Sequence, residues 1–217
     1  MERCGWAGID TIYLEYHDTE WGVPEYDSRA LWEKLILDGF QAGLSWITIL
    51  KKRDAFREAF AEFDPQVIAT WGAAEVEILL QNAGIVRHRG KIEATIGNAQ
   101  AYLRLTDEMP FSDRIWSYVE GQPLVGGYAT LADVPTQSPL SLQISKDLKA
   151  AGFKFCGPTI IYAWMEAWVC LTTMPLAASG IMRFNLWRDE RPHNGQGAVT
   201  VPIGIPEKSG DFLSISI

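Results

Sequence analysis

No stretch of the 217-residue chain stays apolar over the roughly 18 residues that a membrane helix needs, so no helical membrane span is expected. The opening Met1-Glu2-Arg3-Cys4-Gly5-Trp6 lacks the basic-then-apolar order of a signal peptide, and a cytoplasmic chain is expected. Cysteine is scarce and odd in number. Cys4, Cys156 and Cys170 stand far apart, which argues against a disulfide framework and leaves buried thiol or metal ligand as their roles. Positive charge is also short. Nineteen Lys and Arg against 27 Asp and Glu give a net charge of −8, the wrong sign for a generic nucleic-acid binder, whose affinity comes largely from neutralising phosphates. No internal repeat is visible. With 47 % hydrophobic and 21 % charged residues, the chain is globular rather than disordered.

What is present is unevenly placed. The first 38 residues are acidic, whereas Lys51, Lys52, Arg53 and Arg57 form one basic cluster and Arg87, His88, Arg89 and Lys91 another. A local basic patch on an acidic protein holds DNA with strong salt sensitivity. Nine tryptophans are many for this length, and Trp6, Trp21, Trp32 and Trp46 crowd the N-terminal region together with Tyr13 and Tyr16. They are either core or a stacking pocket for something flat.

Helical periodicity dominates residues 1–167. Asp27-Ser28 is a cap signal ahead of Leu31, Trp32, Leu35 and Ile36, and Asp64 with Pro65 opens a further helix. Gly39, Gly43 and the polar pair Gln41 and Ser45 are expected to break the stretch that follows Ile36. A helix through Val76, Leu79 and Leu80 turns at Ala83-Gly84-Ile85 into a second, with Ile92, Ile96, Ala99 and Leu103 on one face. Short helices and loops fill 106–140. Another helical region carries Leu142, Leu148 and Phe153, and Thr159 to Ala167 reads as a buried helix. From residue 168 the periodicity is lost, and only Val199-Thr200-Val201 is strand-like. The expected organisation is a helical domain over 1–167 and an atypical, irregular tail over 168–217.

Leu80 to Ile92 has the form of a helix–hairpin–helix. Its Gly84 turn would present backbone N–H groups to a phosphate at the next helix start, with Arg87, Arg89 and Lys91 adding charge. An ordinary helical hairpin with a solvated basic face would read the same way.

Several strings resemble one family. Met1 to Trp6, Tyr16-His17-Asp18, Glu20-Trp21-Gly22-Val23-Pro24, Gln41-Ala42-Gly43-Leu44-Ser45-Trp46, Gly84 to Ile92, and Phe153-Lys154-Phe155 with Gly157, Tyr162 and Met165 are similar to the type I (Tag) 3-methyladenine DNA glycosylases over residues 1–167. The resemblance implies an all-α, helix–hairpin–helix glycosylase-like fold. It implies an enzyme that flips a nucleotide out of double-stranded alkylated DNA, seats the cationic base and lets water displace it. The expected protein is a monomer. A catalytically impaired lesion binder and a generic helix–hairpin–helix DNA-binding module are the alternatives.

By the same resemblance, Trp6, Tyr13, Tyr16, Trp21 and Trp46 wall the base, attracting its charge by cation–π contact. Asp38 is the main pocket carboxylate and is grouped with Tyr16 as catalytic; no general base is nominated. The family pattern has Glu there, so Asp38 is shorter by one methylene, roughly 1.5 Å; a helix-end surface Asp is the other reading. Leu44 sits where the family pushes a loop toward the vacated stack, unless it is a core leucine.

The family binds structural zinc through an N-terminal Cys and His and a C-terminal His-x-x-x-Cys. Cys4 and His17 match the first half only. Trp168-Val169-Cys170-Leu171-Thr172-Thr173-Met174 stands where the second half is expected, so weak or absent zinc is anticipated. A shifted reading frame accounts for this tail. Taking the last base of each codon with the next two forces Gly at the Trp168–Val169 junction and Ala at Met174–Pro175, and permits Asn, Asp, His and Cys in family register.

Overall fold

The computed structural model describes residues 3–125, 134–169 and 171–172, and the fold is all-α. Helices begin where a side chain accepts the orphan amides of a first turn. Asp10 accepts from the Ile12 N–H to start α1 (Thr11–Thr19), and Asp27 accepts from Arg29 and Ala30 to start α2 (Ser28–Gln41). The short α3 (Trp46–Leu50) and α4 (Arg53–Ala59) follow. Asp64 caps α5 (Pro65–Ile68), with the proline in the first turn as the sequence predicts. Helices α6 (Ala73–Gln81) and α7 (Arg89–Leu105) form the expected hairpin pair. Then come α8 (Phe111–Ser117), α9 (Pro139–Ala150) and α10 (Pro158–Trp164). The helix expected to reach Ala167 instead loosens after Trp164 into a π-turn, Met165–Val169. A two-residue parallel pairing joins Leu124–Val125 to Leu171–Thr172.

Helix α2 is the axis of the fold. Leu31, Trp32, Leu35, Ile36, Leu37 and Phe40 are all buried, so the helix is covered on nearly every side. Two core indoles tie it to its neighbours with their donors satisfied. Trp32 Nε1–H donates to the Phe63 carbonyl at 3.0 Å, and Trp164 Nε1–H to the Leu31 carbonyl at 3.2 Å. Phe56, Phe60 and Phe63 pack beside Phe40 of α2, each of the four fully buried and each contributing about 1.5–3 kcal/mol of burial.

One expectation is corrected here. Gly39 does not break α2, which continues to Gln41. A Cβ at Gly39 would lie 3.3 Å from the Phe155 Cβ and carbonyl, so the glycine serves close packing of the 152–157 loop onto the helix. Leu142 is 48 % exposed, and Ile144 and Leu148 carry the buried face of α9. The expected tail lies outside the described residues from 173 onward, including Val199-Thr200-Val201, as does Cys170. No helix among the described residues is long and apolar enough to cross a membrane.

Candidate active site

The aromatic residues of the N-terminal region converge because α1 packs against α3, which in turn packs against α2. Trp6, on a turn of 3₁₀ helix before α1, lies 5.0 Å from Tyr13 and 5.2 Å from Trp21 between ring centroids. Tyr16 faces Trp46 at 5.5 Å across the opening. Together with Lys34, Asp38, Gln41 and Glu166 they line a cavity of about 180 Å³. A second cavity of about 190 Å³ shares Asp38 and Gln41 and runs out under Leu44 toward Thr159 and Ile160 of α10. Trp6, Tyr13, Tyr16, Trp21, Trp46 and Asp38 therefore meet at one place. Trp32, from the same aromatic-rich stretch, belongs to the core instead.

Asp38 is a buried pocket carboxylate, 3 % exposed, not a helix-end surface residue. Its oxygens are held by Lys34, one turn earlier on α2, whose Nζ donates to them at 2.6 and 2.8 Å. The same ammonium sits 4.0 Å from the centroid of the Trp46 ring. Burial pushes the Asp38 carboxyl up and the Lys34 ammonium down from their ordinary values, and each partner offsets part of the other's shift. The Tyr16 hydroxyl is pushed well up, chiefly by burial and then by the Asp38 charge. Trp46 Nε1–H is buried without a hydrogen-bond partner among the described residues. Lys34 and Glu166 carry no motif signal. Only the four-residue spacing of Lys34 and Asp38 on one helix face points to their meeting.

Leu44 is 43 % exposed, not a core leucine. It follows Gly43, whose φ of +81° makes the tight turn out of α2 that side chains rarely tolerate. Its N–H donates to the Gln41 carbonyl at 2.6 Å, so the turn presents Leu44 at the rim of both the helix end and the second cavity.

The basic residues behave differently from expectation. In the first cluster, Lys51 pairs with Asp10, Arg53 binds both oxygens of Glu20, Arg57 binds Glu33, and Lys52 donates to the Ala83 and Gly84 carbonyls. In the second, Arg89 pairs with Glu77 at 2.7 Å. Lys91 is 7 % exposed and donates to the Phe40 and Ala42 carbonyls at 2.8 and 2.6 Å. Lys91 is thus not a free phosphate ligand but a clamp on the end of α2, because the backbone there leaves carbonyls without helical partners. Arg87 is exposed and makes no ion pair among the described residues.

Gly84 also differs in its reason. Its N–H is taken by the Asn82 side chain at 2.8 Å and is not left for a phosphate. A Cβ there would meet the Ala55 Cβ and Asn82 Oδ1 at 2.9 Å each. Gly84→Ala is therefore expected to destabilise the fold by about 1–3 kcal/mol through overpacking, read as a shifted midpoint in urea unfolding. An unchanged midpoint would show that α4 and the hairpin separate freely. At the start of α7, His88 Nδ1 accepts from the Lys91 N–H and caps the helix.

Cys4 and His17 do come together. The Cys4 N–H donates to His17 Nε2 at 3.3 Å, and His17 Nδ1 lies 2.9 Å from Asp18, whose carboxyl is held well below its usual range by Arg3 and then His17. Among the described residues no group of three or more His, Cys, Asp or Glu is placed to hold a metal ion. These residues do not make up a four-ligand zinc site. Cys156 is a buried thiol, pushed up to about 11 by burial.

The methyladenine glycosylase family model matches residues 6–173. The chain is 54 % identical over 168 residues to DNA-3-methyladenine glycosylase 1 of Escherichia coli, covering 77 % of this chain and 90 % of that protein. It is 50 % identical over 166 residues to DNA-3-methyladenine glycosylase of Haemophilus influenzae, covering 76 % and 90 %. Among solved structures it is similar to 3-methyladenine DNA glycosylase I from Staphylococcus aureus, described for its recognition of 3-methyladenine. The TM-score is 0.80 at 40 % identity, over 83 % of this chain and 96 % of that one.

Proposed function

Since the chain belongs to the methyladenine glycosylase family and is a glycosylase of 3-methyladenine in DNA, we propose that the aromatic cavity beside Asp38 is the seat of the flipped base. The observation that carries this reading is the coincidence of five aromatic side chains with one buried carboxylate in a single cavity. 3-Methyladenine still joined to its sugar is a cation. Aromatic faces favour it by about 0.5–2 kcal/mol each, and a desolvated carboxylate favours it further. Trp6, Tyr13, Trp21 and Trp46 wall the ring, Tyr16 and Asp38 face its polar edge, and Trp46 Nε1–H supplies a donor.

The reaction needs little from the protein beyond this. The glycosidic bond breaks with its electron pair passing to the base, which leaves neutral. Water adds to the sugar and releases its proton to solvent. The chain's part is to flip, seat and desolvate the nucleotide. Leu44 at the rim fits a wedge entering the gap left in the stack, with Arg87 and the α7 amides on the adjoining phosphates. The substrate is read as double-stranded DNA, the enzyme as a cytoplasmic monomer, and zinc as weakly held or absent.

Purified chain incubated with methylated duplex DNA, with and without added zinc, tests this by chromatography of released bases. Free 3-methyladenine is the expected product in both arms. A folded chain that binds the base but releases none is instead a lesion binder.

A further inference from the structure

The turn between α9 and α10 is held in a conformation that its own residues resist. Phe155 has a φ of +54°, in the left-handed region that side chains rarely adopt. The residue is 37 % exposed, so burial of its ring offsets little of the strain. Side chains from neighbouring helices hold the turn instead. Asn98 of α7 is 4 % exposed, and its whole carboxamide goes to one residue. Its Nδ2–H donates to the Lys154 carbonyl at 3.0 Å, and its Oδ1 accepts from the Lys154 N–H at 2.7 Å. Ser145 of α9 donates to the Cys156 carbonyl at 2.7 Å, and Gly39 of α2 gives Phe155 its close seat. Strain that the surroundings over-determine in this way clusters at active sites and ligand clamps. The turn also lies near Leu44 and Arg87. The Phe155 ring stands edge-on to that of His88, beside Arg87, at 6.4 Å between centroids. Helix α10, which the turn opens, lines the cavity under Leu44. Lys154 is exposed and, like Arg87, makes no ion pair among the described residues.

We propose that Asn98 is a positioning residue for DNA binding. By pairing both backbone polar groups of Lys154, it fixes the chain where Phe155 turns left-handed. The Lys154 ammonium is thereby held toward a phosphate of the lesion-bearing duplex. Asn98 itself is too deeply buried to touch DNA and acts only through the turn. Because the turn is already in place, binding loses little freedom in ordering it. Without the carboxamide, Phe155 relaxes out of the left-handed region and Lys154 leaves its place. The proposal rests on the reading of the Leu44 and Arg87 face as the one that meets DNA.

The test is the salt dependence of binding to duplex DNA, measured by filter binding for Lys154→Met, Asn98→Ala, the two together, and Arg87→Ala. Lys154→Met is expected to lower the slope of log affinity against log salt by about one. Asn98→Ala is expected to lower it by about the same amount, with affinity down about tenfold at about 0.1 M salt. The two together should lose no more than either alone. Asn98 is neutral and buried, so its removal can change the slope only through a cation that it positions. Affinity for free 3-methyladenine, read by tryptophan fluorescence, should stay as it was. A fall there by the same factor marks a general loosening and overturns the positioning role. A slope lowered by Lys154→Met but unchanged in Asn98→Ala also overturns it, and leaves Lys154 on the DNA. A slope unchanged in Lys154→Met overturns the proposal; Arg87→Ala then shows whether the DNA face itself stands, with a lowered slope, or falls, with an unchanged one. Should Asn98→Ala not fold, as circular dichroism would show, Gly39→Ala takes its place. Its methyl group meets the Phe155 Cβ and carbonyl at 3.3 Å and pushes the turn from the other side. A slope equal to that of the unmodified chain then overturns the proposal.

Discussion

Asp38→Asn is expected to cut base release by about 100- to 1000-fold, the range for loss of one well-placed electrostatic group in a desolvated site. Asparagine keeps the shape of the side chain and removes its charge. The base then loses its carboxylate partner, and Lys34 loses the anion that holds it. A buried ammonium without a counter-charge is costly, about 3–5 kcal/mol when one partner of a buried pair is removed. Deprotonation of Lys34 limits that cost. The loss has a pH signature. Burial lowers the folded-state pKa of Lys34, so the unfolded chain binds the extra proton between that lowered value and the ordinary lysine value. The stability penalty in Asp38→Asn is therefore absent above the ordinary value, grows as pH falls through the window, and is complete below the lowered one. Thermal melts across alkaline pH would show it. The double change Lys34→Met with Asp38→Leu separates the two effects: apolar packing should restore the melting temperature without restoring release. Release at the original rate by Asp38→Asn would remove the carboxylate from the reaction.

How much of this was legible differs by the physics involved. Caps are local, so Asp27, Asp64 and Pro65 announce their helices in the sequence, and the α6–α7 hairpin follows from its apolar period. Gly39 misleads because its role is set by Phe155, remote in sequence, and no local rule reports a close approach. The aromatic pocket was visible as a crowd of rings in one short stretch. The basic clusters misled for the opposite reason. Counting Lys and Arg ignores the carboxylates that folding brings to them, as with Arg53 on Glu20 and Arg57 on Glu33. Lys34 lies in plain view one turn before Asp38, but a lysine on a helix is ordinarily a solvated one, and only the burial of α2 on nearly every side makes the pair matter.

Lys91 and Arg87 give the second large expectation, because the same basic cluster contains two different devices. Lys91→Met removes a donor from the Phe40 and Ala42 carbonyls at once. Leaving buried carbonyls unsatisfied costs about 1–3 kcal/mol each, so a loss of about 2–4 kcal/mol is expected. These carbonyls end α2 immediately before Gly43, and the turn they fix carries Leu44 to the rim and Trp46 into the cavity. Release should therefore fall with stability, and more steeply for a lesion in duplex DNA than for the free base binding in the pocket. The salt dependence of DNA binding should not change, since Lys91 neutralises no phosphate. Arg87→Ala is expected to do the reverse. An exposed arginine without an ion pair contributes little to the fold, so the melting temperature stays within a degree or two. The slope of log affinity against log salt should fall by about one, equally for damaged and intact DNA. Filter binding at four or five salt concentrations distinguishes the two. A slope reduced by Lys91→Met would mean that DNA draws this lysine out of its clamp, and then the 41–45 turn would open when the nucleotide enters rather than being held ready for it.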